Sequence, residues 1–267
     1  MKPAYAFLLA LLLAAPTYAR DTLQNDLGMR FVHIPAGEFV MGTEDIAAAL
    51  QEMPEPEPTG LVEETPAHTV VITKPFYLGE TEVTQSQWLK VMENRPGPEA
   101  LWKRDDWATL PVVSISWFMA KRFVEELNKS DTHNHYRLPT EAEWEYVAKD
   151  GRNALRPVPI EALGDYAWFI NNSGDMPHPV ATRKANRFGV YDMLGNVWEW
   201  VEDGYARDTY RKAKRVDPTG PVNAAAKVRR GGSYHCPLHL IRPGYRSANP
   251  PGTRYEVLGF RVVAQPR

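Results

Sequence analysis

Hydrophobic positions along this chain recur mostly in short runs of period two, and stretches with the 3.6-residue spacing of a helix are few and brief. Phe31-Val32-His33-Ile34-Pro35-Ala36-Gly37-Glu38-Phe39-Val40-Met41-Gly42 predicts two short strands around a Pro-Ala-Gly turn. His68-Thr69-Val70-Val71-Ile72 and the run from Phe76 to Val83 are rich in branched and aromatic residues and predict further strands. Three segments carry helical signals. Thr84 opens the first, Gln87 completes a capping box, and Trp88, Val91 and Met92 share a face. The second follows Ser116, with Phe123, Val124 and Leu127 at core spacing. Thr140 opens the third, with Glu143 as reciprocal cap and an apolar stripe of Trp144, Val147 and Ala148. Glu141, Glu143 and Glu145 fall in its first turn, where carboxylates favour the helix dipole, so they are assigned to structure. Trp198-Glu199-Trp200 predicts an extended segment with two indoles on one side and a carboxylate on the other.

Composition changes this picture in three ways. Tryptophan, tyrosine and proline are plentiful, which suits a loop-rich domain of short strands and a few helices. The formal net charge of −2 argues against nucleic acid or an anionic membrane as partner. The beginning of the chain has the form of an export signal. Lys2, an apolar run from Ala6 to Ala15, and Thr17-Tyr18-Ala19 predict a leader over 1–19 and a mature domain over 20–267. The apolar run is too short to span a membrane, so the mature chain is expected to be periplasmic or secreted, without membrane insertion. Cys236 is the one cysteine, so no internal disulfide can form. Between Glu44 and Thr65, prolines alternate with glutamates at 54–58, which predicts a mobile surface loop. His133 and His135 read as exposed loop residues.

The densest chemistry lies in Gly189 to Trp200, which holds two glycines, two carboxylates, an asparagine and two tryptophans in twelve residues. The Asp192 carboxylate, turn carbonyls near Gly195 and Val197, and the Glu199 carboxylate form a set of hard oxygen donors suited to calcium. A tight turn stapled by aromatic rings, with Glu199 bonded to backbone, is the alternative. At the other candidate site, His235, Cys236 and His239 combine imidazole and thiolate, a donor set that suits zinc or copper if the three converge. A phosphate-binding glycine loop and a Gly-x-Ser-x-Gly nucleophile turn are both missing.

Several blocks together resemble the formylglycine-generating enzyme, or sulfatase-modifying-factor, family. They are Pro35 to Gly42, Glu64 to His68, Glu82-Val83-Thr84, Pro111 to Trp117, Tyr136 to Glu145, the Gly189 to Trp200 stretch, Arg230 to Tyr234 and Leu258 to Arg261, in family order over nearly the whole mature chain. The resemblance implies an α+β fold related to the C-type lectin fold. It implies a structural calcium ion held by Asp192, Gly195, Val197 and Glu199, through side chains at the outer two and carbonyls at the inner two. A second calcium site would fall near Asn171 and Asn172.

For activity, the resemblance is incomplete. Oxidase members use two cysteines five apart to bind Cu(I) and convert a substrate cysteine to formylglycine. Here Cys236 stands at the first position, with Ser233 beside it in the family motif, and Ile241 stands at the second. Val257 occupies a position where active members often carry Asn. Copper is therefore not expected, and Cys236 and Ser233 are candidate catalytic residues only if the chain is an enzyme. The iron-dependent sulfoxide synthases that share this domain need a further histidine-bearing helical domain, for which this chain has no room. Export together with the lost cysteine resembles the periplasmic members encoded with type VI secretion systems, which act on a membrane threonine kinase. That implies a binding or regulatory protein with a periplasmic protein or peptide partner. The alternatives are a periplasmic oxidase or maturation enzyme, of the formylglycine-generating or siderophore type, and an envelope accessory protein whose one ligand is calcium.

Overall fold

The computed structural model describes residues 21–51, 61–212 and 214–267, so the expected leader and the Pro-Glu alternation lie outside the described residues. Among the described residues three sheets carry the fold. The largest has the order β1-β2-β5-β11-β6, formed by Thr22–Gln24, Arg30–Ile34, Phe76–Gly79, Val263–Pro266 and Asn134–Arg137, with every neighbouring pair antiparallel. The second has the order β10-β7-β8-β9, formed by Leu258–Phe260, Trp198–Gly204, Lys227–Arg230 and Ser247–Asn249. Its β10–β7 pair is parallel and the others antiparallel. A two-stranded sheet joins β3 (Gly37–Met41) to β4 (His68–Ile72). The Pro-Ala-Gly turn therefore does not close a hairpin: β2 and β3, on either side of it, belong to different sheets.

The three helices expected from capping signals form where the caps place them. Both halves of the capping box are present at Thr84 and Gln87, before α2 (Gln85–Met92). They are present again at Thr140 and Glu143, before α5 (Glu141–Ala148). Ser116 caps α4 (Trp117–Ser130) through the Met119 amide. Two shorter helices, α1 (Ile46–Gln51) and α3 (Glu99–Trp102), precede α4, and α6 (Thr209–Lys212) follows β7. The core knits helices to sheets through aromatic rings. Trp88 of α2 stacks on Phe123 of α4 at 5.5 Å, and both meet Phe260 of β10 edge-on, at 6.2 and 5.3 Å. Each of these rings is fully buried, worth roughly 1.5–3 kcal/mol apiece by area removed from water.

The structure corrects four local expectations. The segment from Glu44 contains helix α1, so it is not loop throughout. Strand β5 stops at Gly79, short of Val83. His135 lies within β6, where it points to solvent. Helix α5 is buried along its whole length rather than along one stripe.

Candidate functional site

Two stretches converge beside strand β8. Strand β8 ends at Arg230, and Gly231 and Gly232 both take positive φ (98° and 76°), turning the chain into the loop that carries Cys236. The turn of Gly189 to Trp200 lies against it. The Gly195 amide donates to the Gly231 carbonyl at 2.9 Å, and the Tyr234 amide donates to the Asn196 carbonyl at 2.7 Å. Gly195 is required at its position: φ is +79°, and a Cβ there would stand 2.1 Å from the Trp168 carbonyl oxygen.

Around Cys236 the geometry is that of a packed thiol. Its amide donates to the Ser233 carbonyl at 2.9 Å, and its Sγ lies 3.4 Å from the Ser233 hydroxyl. Both side chains are buried. A Cβ built on Gly232 would meet Ile241 Cδ1 at 2.5 Å and Cys236 Cβ at 3.8 Å, so Ile241 and Cys236 flank one point. An apolar side chain fills the place where a second thiolate would complete a Cu(I) pair, and the residues present do not fit that ion. Nor do His235, Cys236 and His239 gather into a metal centre. His235 Nδ1 meets Asp175 Oδ1 at 2.5 Å on the exposed surface, and the His239 carbonyl accepts from Arg242. No group of three His, Cys, Asp or Glu side chains is arranged to hold a metal ion among the described residues.

Buried arginines lock this loop in place, and of Arg230, Arg242 and Arg246 only Arg230 lay in a stretch that the sequence singled out. Arg230 binds Glu145 and donates to the carbonyls of Pro243, Gly244 and Tyr245 at 2.8, 3.1 and 2.9 Å. Arg242 reaches Glu64 at 2.5 Å, and Arg246 grips Glu141 through two bonds of 2.7 and 2.9 Å. Glu141 and Glu145 therefore serve as counter-ions to the loop more than as dipole partners of their own helix. The Glu-x-x-x-Glu spacing facing an arginine-rich segment was the available signal. Buried pairs of this kind lose much of their attraction to desolvation and fix geometry more than they add stability.

A second charged cluster lies where the two larger sheets join. Arg261 sits in the two-residue link between β10 and β11. Its guanidinium holds Glu199 through two bonds of 2.7 Å and donates to the carbonyls of Gly79, Tyr191 and Asp192. Trp144 Nε1 adds a bond to Glu199 at 2.9 Å. Asp192 accepts from the Ala181 amide through Oδ2 at 2.8 Å, while its Oδ1 has no partner. Glu82, also buried, has neither carboxylate oxygen partnered. Burial pushes Asp192 up to about 6; the Ala181 amide and Arg261 oppose the shift and the Glu199 charge adds to it. Burial, then the Asp192 charge, drives Glu82 well above the usual carboxylate range against the pull of Arg261.

Of the four expected calcium ligands, Asp192 and Glu199 thus share one electrostatic cluster, and Glu82 joins them unannounced by any spacing. The orphaned oxygens of Asp192 and Glu82 suit a hard cation. Glu199 does not offer free oxygens, because Arg261 and Trp144 occupy them. Toward calcium the cluster is therefore open through one Asp192 oxygen and closed on the Glu199 side. Asn172 is engaged elsewhere: its side chain accepts from the Phe169 amide and donates to the Ala167 carbonyl, closing its own turn, and Asn171 is exposed.

A loop-rich α+β domain with a lone cysteine on a Gly-Gly loop, backed by the Trp-Glu-Trp strand, defines a domain of the formylglycine-generating type. The model of the sulfatase-modifying factor enzyme 1-like domain matches residues 19–266, and the chain belongs to that family. It is 30% identical to a formylglycine-generating enzyme of Streptomyces coelicolor, across 87% of this chain and 88% of that protein. It is 31% identical to the serine/threonine-protein kinase pkn1 of Chlamydia pneumoniae, across 76% of this chain but 35% of the kinase. Among solved structures, PvdO from Pseudomonas aeruginosa superposes with a TM-score of 0.78 at 26% identity, across 94% of this chain and all of that one. Treponema denticola variable protein 1 superposes with a TM-score of 0.74 at 27% identity and the same coverage. Among the described residues no helix is long and apolar enough to cross a membrane.

Proposed function

We propose that this chain is an exported, non-oxidase member of its family: a binding and regulatory protein of the periplasm acting on a type VI secretion threonine kinase pathway. The observation that carries the proposal is the thiol site. Cys236 is packed against Ser233, and Ile241 stands where a second copper-binding thiolate would be needed. Oxidation of a substrate cysteine by oxygen through that route lacks half of its metal donor set. The match to part of a serine/threonine kinase supports a role beside kinases, since a domain of this kind there shares a chain with one. A structural calcium ion at Asp192, with the Gly195 and Val197 carbonyls, belongs to the same proposal and is supported by the orphaned oxygens of Asp192 and Glu82; Glu199 would join only by giving up a bond to Arg261 or Trp144.

A second reading, a periplasmic oxidase or maturation enzyme acting through Cys236, is favoured by the 3.4 Å Ser233–Cys236 contact and by the identity to a formylglycine-generating enzyme. Anaerobic Cu(I) titration of the mature protein, followed by oxygen-uptake measurement with a cysteine peptide, separates the two. No stoichiometric Cu(I) binding and no uptake above buffer are expected. One tightly bound Cu(I) per chain with peptide-dependent oxygen consumption would overturn the non-oxidase reading.

A further inference from the structure

Four arginines around the Cys236 loop and the sheet beneath it hold carboxylate partners. Arg230 pairs with Glu145, Arg242 with Glu64, Arg246 with Glu141 and Arg261 with Glu199. Arg229 differs from these four. It is half-buried and meets no carboxylate within ion-pairing distance among the described residues; its side-chain bond is from Nε to the Ser247 hydroxyl, at 3.2 Å. Its guanidinium lies over Trp198, 4.5 Å from the ring centre, and 5.9 Å from the ring centre of Tyr255. Tyr255 is 48% exposed, and Trp198 leans in turn on Tyr245 at 5.9 Å. Burial lowers the Arg229 pKa, while the nearby Cys236, Tyr245 and Tyr255 side chains oppose the shift. A guanidinium stacked on an indole keeps its in-plane N–H fork free for a planar acceptor, and a carboxylate matches that fork through two parallel bonds.

We infer that Arg229, framed by Trp198 and Tyr255, is a recognition subsite for an acidic side chain on an extended segment of a protein partner. The strand register supports an extended partner over a free anion. Arg229 lies opposite Ser247 in β9, and β9 is the edge of its sheet, where an incoming strand can pair. The exposed ring of Tyr255 offers a face for a neighbouring aromatic or aliphatic side chain. The inference rests on reading the Cys236 region as a binding surface, and it adds the chemistry of the partner: acidic and extended.

The test uses the mature full chain and three probes, with binding followed by tryptophan fluorescence and by amide shifts. The probes are the capped peptide Ac-Gly-Glu-Glu-Tyr-Gly-NH2, its Gln-Gln counterpart, and sodium acetate. The acidic peptide is expected to bind about tenfold more tightly than the Gln peptide, as charge-assisted bidentate bonds allow, and acetate more weakly than the acidic peptide. Arg229→Gln should abolish the difference between the peptides, and Arg229→Lys should keep part of it, with thermal melting showing both variants folded. Equal binding of the two peptides, acetate binding as well as the peptide, no binding of any probe, or unchanged discrimination in folded Arg229→Gln would each overturn the inference. Copper binding with oxygen uptake would remove the non-oxidase reading and leave this comparison intact, so the two can fail separately.

Discussion

Replacing Arg261 with methionine removes the cation at the centre of three buried carboxylates while keeping most of the side-chain volume. In the intact protein the guanidinium satisfies Glu199 twice and closes three backbone carbonyls, from Gly79, Tyr191 and Asp192. Breaking a buried ion pair from one side costs roughly 3–5 kcal/mol, because the remaining charge is stranded. Unsatisfied carbonyls add on the order of 1 kcal/mol each where water cannot reach them. The loss comes to about 6–8 kcal/mol, and a domain of this size shifts its melting temperature by about 2–4 °C per kcal/mol, so a fall of roughly 12–32 °C at pH 7.5 is expected.

The pH dependence gives the sharper test. Asp192 holds its proton to about pH 6 in the folded chain against an ordinary value of 3.8, and the difference is worth on the order of 3 kcal/mol. A raised carboxylate pKa means that the folded state binds the proton more tightly than the unfolded state. Its contribution is therefore fully present at pH values below the ordinary one and is lost as pH rises toward 6. Without Arg261, which lowers both, the window for Asp192 and Glu82 extends upward. The penalty of Arg261→Met should accordingly be larger at pH 7.5 than at pH 5. Denaturant melts of both proteins at the two pH values measure it. A loss under about 1 kcal/mol, or one equal at both pH values, would refute the picture of a charge-compensated cluster.

Two further outcomes follow from the same region. Calcium at a hundred times its dissociation constant should stabilise the folded chain by about 2.7 kcal/mol, and Asp192→Ala should remove the gain; an equal calcium response in the variant would place the ion elsewhere. Gly195→Ala should fail to fold or melt far below the parent, since its Cβ would overlap the Trp168 carbonyl, and a native-like melting curve would contradict the packing described there.

What the sequence revealed and what it hid divide along the range of the interactions. Helix starts were legible because a cap is a three-residue event: Thr84 with Gln87 and Thr140 with Glu143 announce themselves locally. Strand identity was legible where branched residues cluster, as at His68–Ile72, but the partner of each strand was not. Nothing near Pro35-Ala36-Gly37 says that β2 and β3 enter different sheets, because each is claimed by a strand outside the turn: β2 by β5 (Phe31 opposite Gly79) and β3 by β4 (Gly37 opposite Ile72). The same holds at the sites. The Asp192 and Glu199 carboxylates were visible as candidates, yet their counter-ion Arg261 and their neighbour Glu82 come from distant strands and loops. Periodicity gave α5 a single apolar stripe, and the glutamates read there as partners of the helix dipole are in the fold counter-ions to Arg230 and Arg246.

The central claim is that this domain works by binding and not by oxidation at Cys236, and one substitution tests it most directly. Cys236→Ser exchanges sulfur for oxygen beside the Ser233 hydroxyl with little change of volume, so fold and export should hold. A hydroxyl is a poor substitute for a thiolate as nucleophile or soft-metal ligand. The measurement is complementation of a deletion strain by the variant, with its periplasmic level and melting temperature checked alongside. Activity near that of the parent is the result this account predicts. Loss of complementation by a variant that is folded and exported at parental levels would contradict it.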